Sequence, residues 1–169
     1  MITPKPPFLN LPDEKTYLEH FLTHYCRREI KTHDGIRVFF KRETFTHAFY
    51  ESSLRDNHKD QFSLKRAERM DWIIHTLVNK TACEFQGWVT KKKNYDPTRK
   101  TAVLYDTFVV IVGFSLKNDN TLKGNFITCY PAAYDSFEKI QRAPVWSRVA
   151  CLRSLREKDQ TQQYDDDNE

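Results

Sequence analysis

A change of hydrophobic periodicity near Lys80 constrains the fold of this chain more than any other feature. Before Lys80 apolar residues recur at the 3.6-residue spacing of amphipathic helices, and after it they alternate with the period of two that is typical of strands. Residues 107–115, TFVVIVGFS, are apolar on both faces, as in a central strand. Helices followed by consecutive antiparallel strands predict an α+β fold, with the N-terminal helices packed on a sheet of about four strands.

The helical part of the chain contains three predicted helices, over residues 14–31, around His47 and over residues 61–79. On a helical wheel Arg66 falls inside the apolar arc of the third helix, and Trp72 falls on its far side. A guanidinium withdrawn from water needs an anion. Arg66 therefore either pairs with a structural carboxylate such as Glu51 or faces a phosphate site.

The strand part contains a run of predicted strands and one further helix. The strands cover residues 83–90, 101–106, 107–115 and 123–130, a helix follows over residues 134–142, and residues 36–40 form a short strand earlier in the chain. Strict alternation in the last strand places Phe126, Thr128 and Tyr130 on one face and Ile127 and Cys129 on the other.

His47 and Glu51 are four residues apart, a spacing that places two side chains on the same face of a helix. One short helix would then present an imidazole and a carboxylate together. A structural histidine near a turn fits the same pattern, and Thr128 and Tyr130 are also common as solvent-facing strand residues.

The charge is unevenly distributed. The net charge is +4, but the segment 157–169 holds six acidic residues and one lysine, so the positive charge is concentrated in residues 1–156. Such a basic body favours an anionic partner such as nucleic acid. We expect an N-terminal arm over residues 1–12, a single domain over residues 13–156 and an acidic, disordered tail over residues 157–169.

The predicted hairpin loop KKKNYDPTRK concentrates cations around a tyrosine, and these cations are Lys91, Lys92, Lys93, Arg99 and Lys100. A loop of this kind can simply blunt a sheet edge, or it can hold a phosphate backbone.

The motifs of several function classes are missing. The sequence has four glycines and no glycine-rich phosphate loop, HExxH, GxSxG or paired-cysteine zinc motif, and its histidines near the first helix lack carboxylates at metal-ligand spacing. We therefore expect no cofactor and no metal. No apolar run reaches membrane length and the start lacks the apolar core of a signal peptide, so we expect no membrane association and a cytoplasmic protein.

Histidine, glutamate, arginine, threonine and tyrosine on a basic surface suit RNA cleavage without metal, because the ribose 2′-OH is an internal nucleophile. A general base, a general acid and cations around the phosphorane then suffice. The candidate catalytic residues are His47, Glu51, Arg66, Thr128 and Tyr130, and the candidate RNA-binding residues are Arg69, Lys91, Lys92, Lys93 and Arg99.

Scattered matches over about residues 36–145 carry a family resemblance: FTHAFYESS, KRAERMDWI, QGW, LYDTFVVIV and GNFITCYPA. They resemble the phage-associated nuclease domains of the barnase–EndoU–colicin–RelE (BECR) superfamily, although the family's TAYP stands here as TCYP. The positions that match its pattern are His47, Glu51, Arg66, Arg69, Thr128 and Tyr130.

The resemblance implies helices packed on a four-stranded antiparallel sheet, with RNA bound on the open side of the sheet. It also implies metal-independent cleavage of RNA, commonly tRNA or mRNA, by a toxin or an effector of a phage or mobile element. Toxin members have a cognate antitoxin protein as partner.

Two other functions fit the same sequence. One is a non-catalytic RNA-binding or antitoxin-like module on the same fold. The other is a protein-interaction domain in which Trp72 and Trp88 form the partner surface.

Overall fold

A computed structural model of the chain describes residues 3–166, with side chains through residue 162. The helices are α1 (Glu14–Phe21), α2 (Thr44–Phe49), α3 (Leu64–Ala67), α4 (Trp72–Leu77), α5 (Tyr134–Arg142) and α6 (Arg148–Asp166), and a π-helical turn (Leu22–Cys26) extends α1. The strands are β1 (Ile30–Lys31), β2 (Arg37–Phe39), β3 (Tyr50–Glu51), β4 (Gln61–Phe62), β5 (Cys83–Phe85), β6 (Gly87–Val89), β7 (Asn94–Asp96), β8 (Thr101–Tyr105), β9 (Phe108–Leu116) and β10 (Leu122–Pro131).

The main sheet is mixed and has six strands in the order β1-β2-β10-β9-β8-β5. The α+β class is confirmed, and β8, β9 and β10 form the expected antiparallel series. The expected size and uniform direction are wrong, because β2 pairs in parallel with β10 and carries β1 on its outer edge. Strands of two or three residues are too short to show a hydrophobic period, so their pairing partners were not predictable.

Strand β9 is buried on both faces, as its composition predicts. Phe108, Val110 and Val112 belong to the large core beneath the helices, whereas Val109 and Ile111 belong to a smaller cluster on the opposite face. The alternation follows from the two-residue repeat of a strand. The main sheet is therefore covered on both sides at its centre.

An aromatic cluster fills the large core between the helices and the sheet. Phe21 has no exposed surface, and its ring centre lies between 5.7 and 6.2 Å from those of five other rings. These rings belong to Tyr25, Phe40, Phe45, Phe49 and Phe126. Because Phe45 and Phe49 are on α2, this packing fixes α2 against the sheet.

A β-bulge in β10 changes which side chains share a face. The register against β9 shifts between Phe126 and Thr128, which makes Ile127 an extra residue. Phe126 and Cys129 both lie in the core beneath the helices, whereas Ile127, Thr128 and Tyr130 lie on the opposite face. The prediction of strict alternation from Phe126 to Tyr130 is wrong for this reason.

The first and third predicted helices are shorter than expected. The helix predicted over residues 14–31 ends with the π-helical turn at Cys26, and the one over residues 61–79 is interrupted between α3 and α4. The interruption is stabilised by tertiary hydrogen bonds, since the Tyr25 hydroxyl donates to the Met70 carbonyl at 2.5 Å. A long-range partner of this kind leaves no trace in local periodicity.

Helix α2 ends at Phe49, so the predicted helical pair of His47 and Glu51 is wrong. Glu51 lies in β3, because the chain leaves the helix to pair Tyr50 with Phe62 of β4. The strand predicted over residues 83–90 likewise divides into β5, in the main sheet, and β6, which pairs with β7 as a separate hairpin.

The N-terminal arm lies along α4. Trp72 Nε1 donates to the Pro6 carbonyl at 2.7 Å, and Phe8 stacks on the Trp72 ring with centres 5.3 Å apart. Trp72 also contacts the core residue Phe108 edge-to-face. The helical wheel predicts Trp72 on the side of its helix opposite the apolar arc, and the N-terminal arm covers this side.

The C-terminal segment continues α6 through Asp166, whereas the sequence predicts disorder over residues 157–169; residues 167–169 lie outside the described part. Lys158 of α6 contacts Asp96 at 3.4 Å and Thr98 at 3.2 Å, which attaches the helix to the β6–β7 hairpin. None of the described helices combines the length and apolar composition needed to cross a membrane.

The absence of a side chain at Gly87 allows the β6–β7 hairpin to approach the main sheet. A Cβ atom there would lie 2.6 Å from the Arg99 carbonyl oxygen and closer still to that of Lys100. We expect Gly87→Ala to lower the free energy of unfolding by about 1–3 kcal/mol, because backbone must move. Chemical denaturation measures this change.

Gly113→Ala is the matched control, since its Cβ would meet only the Ile127 Cδ1 atom at 3.4 Å. This variant should be neutral or stabilising by up to about 1 kcal/mol, because alanine restricts the unfolded chain. Equal losses in both variants would contradict the close approach at Gly87.

Candidate functional site

A cleft of about 680 Å³ opens on the face of the sheet opposite the main group of helices. Its floor is formed by β8, β9 and β10, through Ala102, Ile111, Ile127, Thr128 and Tyr130. One wall is the β6–β7 hairpin with Trp88 and Tyr95, and another is α5 with Lys139, Ile140 and Arg142. His47 and Lys100 also line the cleft. The volume is that of a small-molecule or nucleotide site.

His47 comes from the last turn of α2. The aromatic core holds Phe45 and Phe49 inward, which leaves His47 on the accessible side of this helix. Partial loss of hydration lowers the pKa of His47, and the positive charges of Lys59, Arg66 and Lys100 lower it further. The imidazole is therefore mostly neutral at pH 7 and able to accept a proton.

Arg66 connects three elements at one edge of the cleft. Its Nη1 donates to the Ala48 carbonyl at 3.3 Å and to Thr128 Oγ1 at 3.5 Å. Its Nε lies 3.5 Å from Glu51 Oε1. The side chain is only 18% exposed. The two sequence interpretations of Arg66 are thus compatible, because it pairs with Glu51 and also reaches the cleft residue Thr128.

Tyr130 lies beside Thr128 on the floor of the cleft. The Arg66 guanidinium carbon is 5.9 Å from the centre of the Tyr130 ring. Burial raises the pKa of Tyr130 above its ordinary value, although the nearby Arg66 opposes this shift. The phenol therefore stays protonated at neutral pH and remains a hydrogen-bond donor.

Lys59 is a site residue that the sequence interpretation missed. Burial lowers the pKa of Lys59, and the positive charge of Arg66 lowers it further while Glu51 opposes the change. Lys59 lies in the irregular segment between β3 and β4, where no periodicity predicts the position of a side chain. The sequence interpretation also missed Lys139 and Arg142. The pattern of α5 shows that these residues lie on its polar face, but it does not show that this face borders the cleft.

The five candidate catalytic residues lie in one region, through the contacts of Arg66 with Glu51, Thr128 and Tyr130 and the shared lining of His47 with Thr128. They come from α2, β3, α3 and β10. Tertiary packing alone brings these elements together.

Arg69 does not lie in this region. Its guanidinium lies over the rings of Phe8 at 4.6 Å and Trp72 at 5.2 Å and is 2.7 Å from Glu68 Oε1. The interruption between α3 and α4 turns Arg69 toward the N-terminal arm. Its predicted RNA contact is therefore not supported by its placement.

The lysine run lies on the β6–β7 hairpin, outside the lining of the cleft. Lys91, Lys92 and Lys93 occupy the exposed turn, and Lys92 Nζ is 3.5 Å from Asp96 Oδ2. Arg99 is exposed in the turn that leads into β8. These cations extend the positive surface beyond the cleft, and Lys100 is the member of the group that lines it.

Trp72 and Trp88 do not form one surface. Trp72 packs beneath the N-terminal arm on the helical side, whereas Trp88 lines the cleft on the opposite side of the sheet. A partner surface built from both tryptophans is therefore incompatible with this fold.

Among the described residues, only His33, Asp34 and Glu84 form a group of three ligands close enough to hold a metal ion. It lies outside the cleft lining. Burial and the negative charge of Asp34 raise the pKa of Glu84 to about 7. Asp34 Oδ2 is already paired with Arg148 at 3.1 Å, and Asp34 Oδ1 accepts a hydrogen bond from Thr32 at 2.5 Å. These contacts make the group an ion-pair network.

Cys129 and Cys151 are buried thiols rather than activated nucleophiles. Burial raises the pKa of Cys129 to about 12, and burial raises that of Cys151 to about 11. Cys129 points into the core beneath the helices, away from its neighbours Thr128 and Tyr130. The exposed thiol is that of Cys83.

Thiol labelling in the native protein tests this placement. At pH 8 we expect Cys83 to react with a disulfide reagent in a rapid phase, while Cys129 and Cys151 react only on unfolding, because attack requires thiolate and access. Cys83→Ser should remove the rapid phase. Rapid labelling of Cys129 in the folded protein would show that the bulge does not direct it into the core.

Comparisons of the chain with protein-family models, with curated proteins and with solved structures found no match. The chemistry of the cleft is therefore inferred from its own residues. It combines a neutral imidazole, a protonated phenol, a guanidinium and lysine ammonium groups. Such groups can move two protons and stabilise negative charge on a phosphate.

Proposed function

We propose that this protein is a metal-independent endoribonuclease that acts as a toxin or as an effector of a phage or mobile element. The observation that carries the proposal is that His47, Thr128 and Tyr130 line one cationic cleft, while Arg66 contacts Thr128 and Tyr130. The helix-on-sheet architecture is compatible with the BECR fold, with β1 and β2 as additions to the four strands of that fold.

In the proposed reaction the ribose 2′-OH is the nucleophile. Neutral His47 accepts the 2′-OH proton while O2′ attacks the phosphorus atom, and the bond from phosphorus to the 5′-oxygen breaks. The Tyr130 phenol gives its proton to the leaving 5′-oxygen. The products are a 2′,3′-cyclic phosphate and a 5′-hydroxyl, and the two residues exchange protonation states.

Cations stabilise the negative charge of the phosphorane. The positive charges of Arg66, Lys59 and Lys100 lower the pKa of His47, and the same charges would act on a phosphate bound beside the imidazole. Glu51 is a positioning residue in this scheme, because its carboxylate pairs with Arg66 Nε and holds the guanidinium. Thr128 donates a hydrogen bond to a phosphate oxygen.

The partners follow from the same proposal. The substrate is RNA, either tRNA or mRNA, and an antitoxin protein would inhibit the enzyme by covering the cleft with acidic side chains. The cations of the hairpin would add salt-dependent contacts to the phosphate backbone.

The first test is incubation of the protein with total RNA in the presence of EDTA. We expect cleavage with 2′,3′-cyclic phosphate ends, and a loss of at least about 100-fold in the cleavage rate for His47→Ala, because general-base catalysis is removed. His24→Ala is the matched control, since the His24 ring lies against that of His20, with centres 4.2 Å apart and outside the cleft lining, and its loss should not change the rate.

Intact RNA that binds in a salt-dependent manner would support a non-catalytic RNA-binding module instead. Full activity of His47→Ala would overturn the assignment of the general base even if the protein cleaves RNA.

The pH dependence tests the state of His47. Because neutral imidazole is the active form, the cleavage rate should rise with pH to a plateau, with a midpoint below the ordinary histidine value of about 6.5. Lys59→Gln removes a charge that disfavours the imidazolium, so the pKa of His47 and the midpoint should both rise.

NMR titration of the His47 ring in the free protein measures the same pKa without substrate. Lys65→Gln is the control, because Lys65 is exposed on α3 and is not among the charges that lower the pKa of His47. A His47 pKa above 6.5 in the wild-type protein would contradict the electrostatic account.

A further inference from the structure

Trp88 is an unusually exposed indole at the entrance of a site. It is 49% exposed and lines the same cleft as His47 and Thr128. The other two tryptophans are less accessible, because Trp72 packs beneath the arm and Trp146 is 6% exposed and stacks on Phe114. An exposed indole beside cations is a typical surface for stacking a nucleobase.

The Trp88 ring is held in a fixed position. Trp88 pairs directly with Tyr95 across the β6–β7 hairpin, and their rings meet edge-to-face with centres 5.2 Å apart. The preceding Gly87 lets the hairpin approach the backbone at Lys100. A rigid aromatic surface binds a base at a lower cost in entropy than a mobile one.

The end of the hairpin is anchored to α6. Asp96 of β7 accepts hydrogen bonds from Thr98 at 2.6 and 2.8 Å and is contacted by Lys158 of α6 at 3.4 Å. Although burial opposes it, the hydrogen bonds from Thr98 and the charge of Lys158 lower the pKa of Asp96 to about 2. The hairpin is thereby fixed at its Asp96 end as well as at Gly87.

The opposite wall supplies cations. Lys139 and Arg142 are exposed on α5 and line the cleft, while Phe137 and Ile140 hold this helix on the sheet. Positive charge facing an exposed indole across a cleft matches a nucleotide, in which a flat apolar base is attached to an anionic phosphate.

The dimensions favour a single strand. A volume of about 680 Å³ suits one or two nucleotides whose bases have left the stack. A paired RNA helix presents its shallow minor groove and phosphates, and its bases are not free to enter such a cleft.

We propose that Trp88 is the stacking platform for an unpaired base next to the cleaved bond, with Lys139 and Arg142 binding the adjacent phosphate. The substrate is therefore a single-stranded segment of RNA, such as a loop. This inference rests on the proposed function for the identity of the ligand as RNA, but base stacking and cleavage are separately measurable.

Binding is measured with the full-length His47→Ala protein, which holds RNA without cutting it. Titration of a fluorescently labelled single-stranded oligoribonucleotide, followed by its anisotropy, gives a dissociation constant for every variant, and binding to protein that retains Trp88 should also quench the Trp88 fluorescence. Adding Trp88→Ala should weaken binding by roughly 5- to 150-fold, as expected for the loss of one stacked base. Adding Trp88→Phe should restore most of the affinity.

The matched control is Tyr134→Ala, which removes an aromatic side chain that is 75% exposed and does not line the cleft. It should leave the affinity unchanged. A duplex of the same sequence should bind more weakly than the single strand, and Lys139→Gln should weaken binding and reduce its salt dependence.

The outcomes distinguish the two proposals. If the wild-type protein binds single strands through Trp88 but cuts no RNA, the proposed nuclease activity is wrong and the proposed stacking role of Trp88 is retained. Cleavage and binding that are unaffected by Trp88→Ala would overturn the platform alone. Equal affinity for duplex and single strand would also overturn it, as would the absence of RNA binding, which would instead leave Trp88 as a contact for a protein partner.

Discussion

The candidate site is built around the Arg66 guanidinium, which needs hydrogen-bond acceptors. This group is largely withdrawn from water and cannot lose its charge, so its N–H groups need partners. The partners are the Ala48 carbonyl, the Glu51 carboxylate and the Thr128 hydroxyl, which come from α2, β3 and β10. Their contacts of 3.3 to 3.5 Å are long, which leaves the guanidinium able to bind a phosphate more closely.

The bulge in β10 separates the core from the site within three residues. Cys129 is fully buried beneath the helices, whereas Thr128 and Tyr130 on either side of it reach the cleft. The extra residue Ile127 determines which of the following residues of β10 face the cleft and which face the core. Ile127 itself packs in the apolar cluster below α5. Substitutions on the cleft side can therefore change chemistry without creating cavities in the large core.

Repulsion among the positive charges around His47 favours an anionic ligand. The positive charge of Arg66 disfavours the ammonium form of Lys59, and both charges disfavour the imidazolium form of His47. A bound phosphate would relieve this repulsion, and the same positive field would increase the rate of encounter with a polyanion. The arrangement thus keeps His47 mostly neutral, and in the proposed reaction the same cations would stabilise the negative charge of the phosphate.

The sequence alone determined those features of the fold that depend on residues close together in the chain. The change of period placed helices α1 to α4 before the long strands β8 to β10, and the apolar run identified β9 as a central strand. The arginine in an apolar arc required an anion near Arg66. Only the tertiary structure decided which elements meet: the bulge at Ile127, the transfer of Glu51 to β3, and the turning of Arg69 toward the arm. The physical reason is that periodicity reports which face of a segment avoids water, whereas register, helix interruption and side-chain partners depend on hydrogen bonds and packing between residues far apart in the chain.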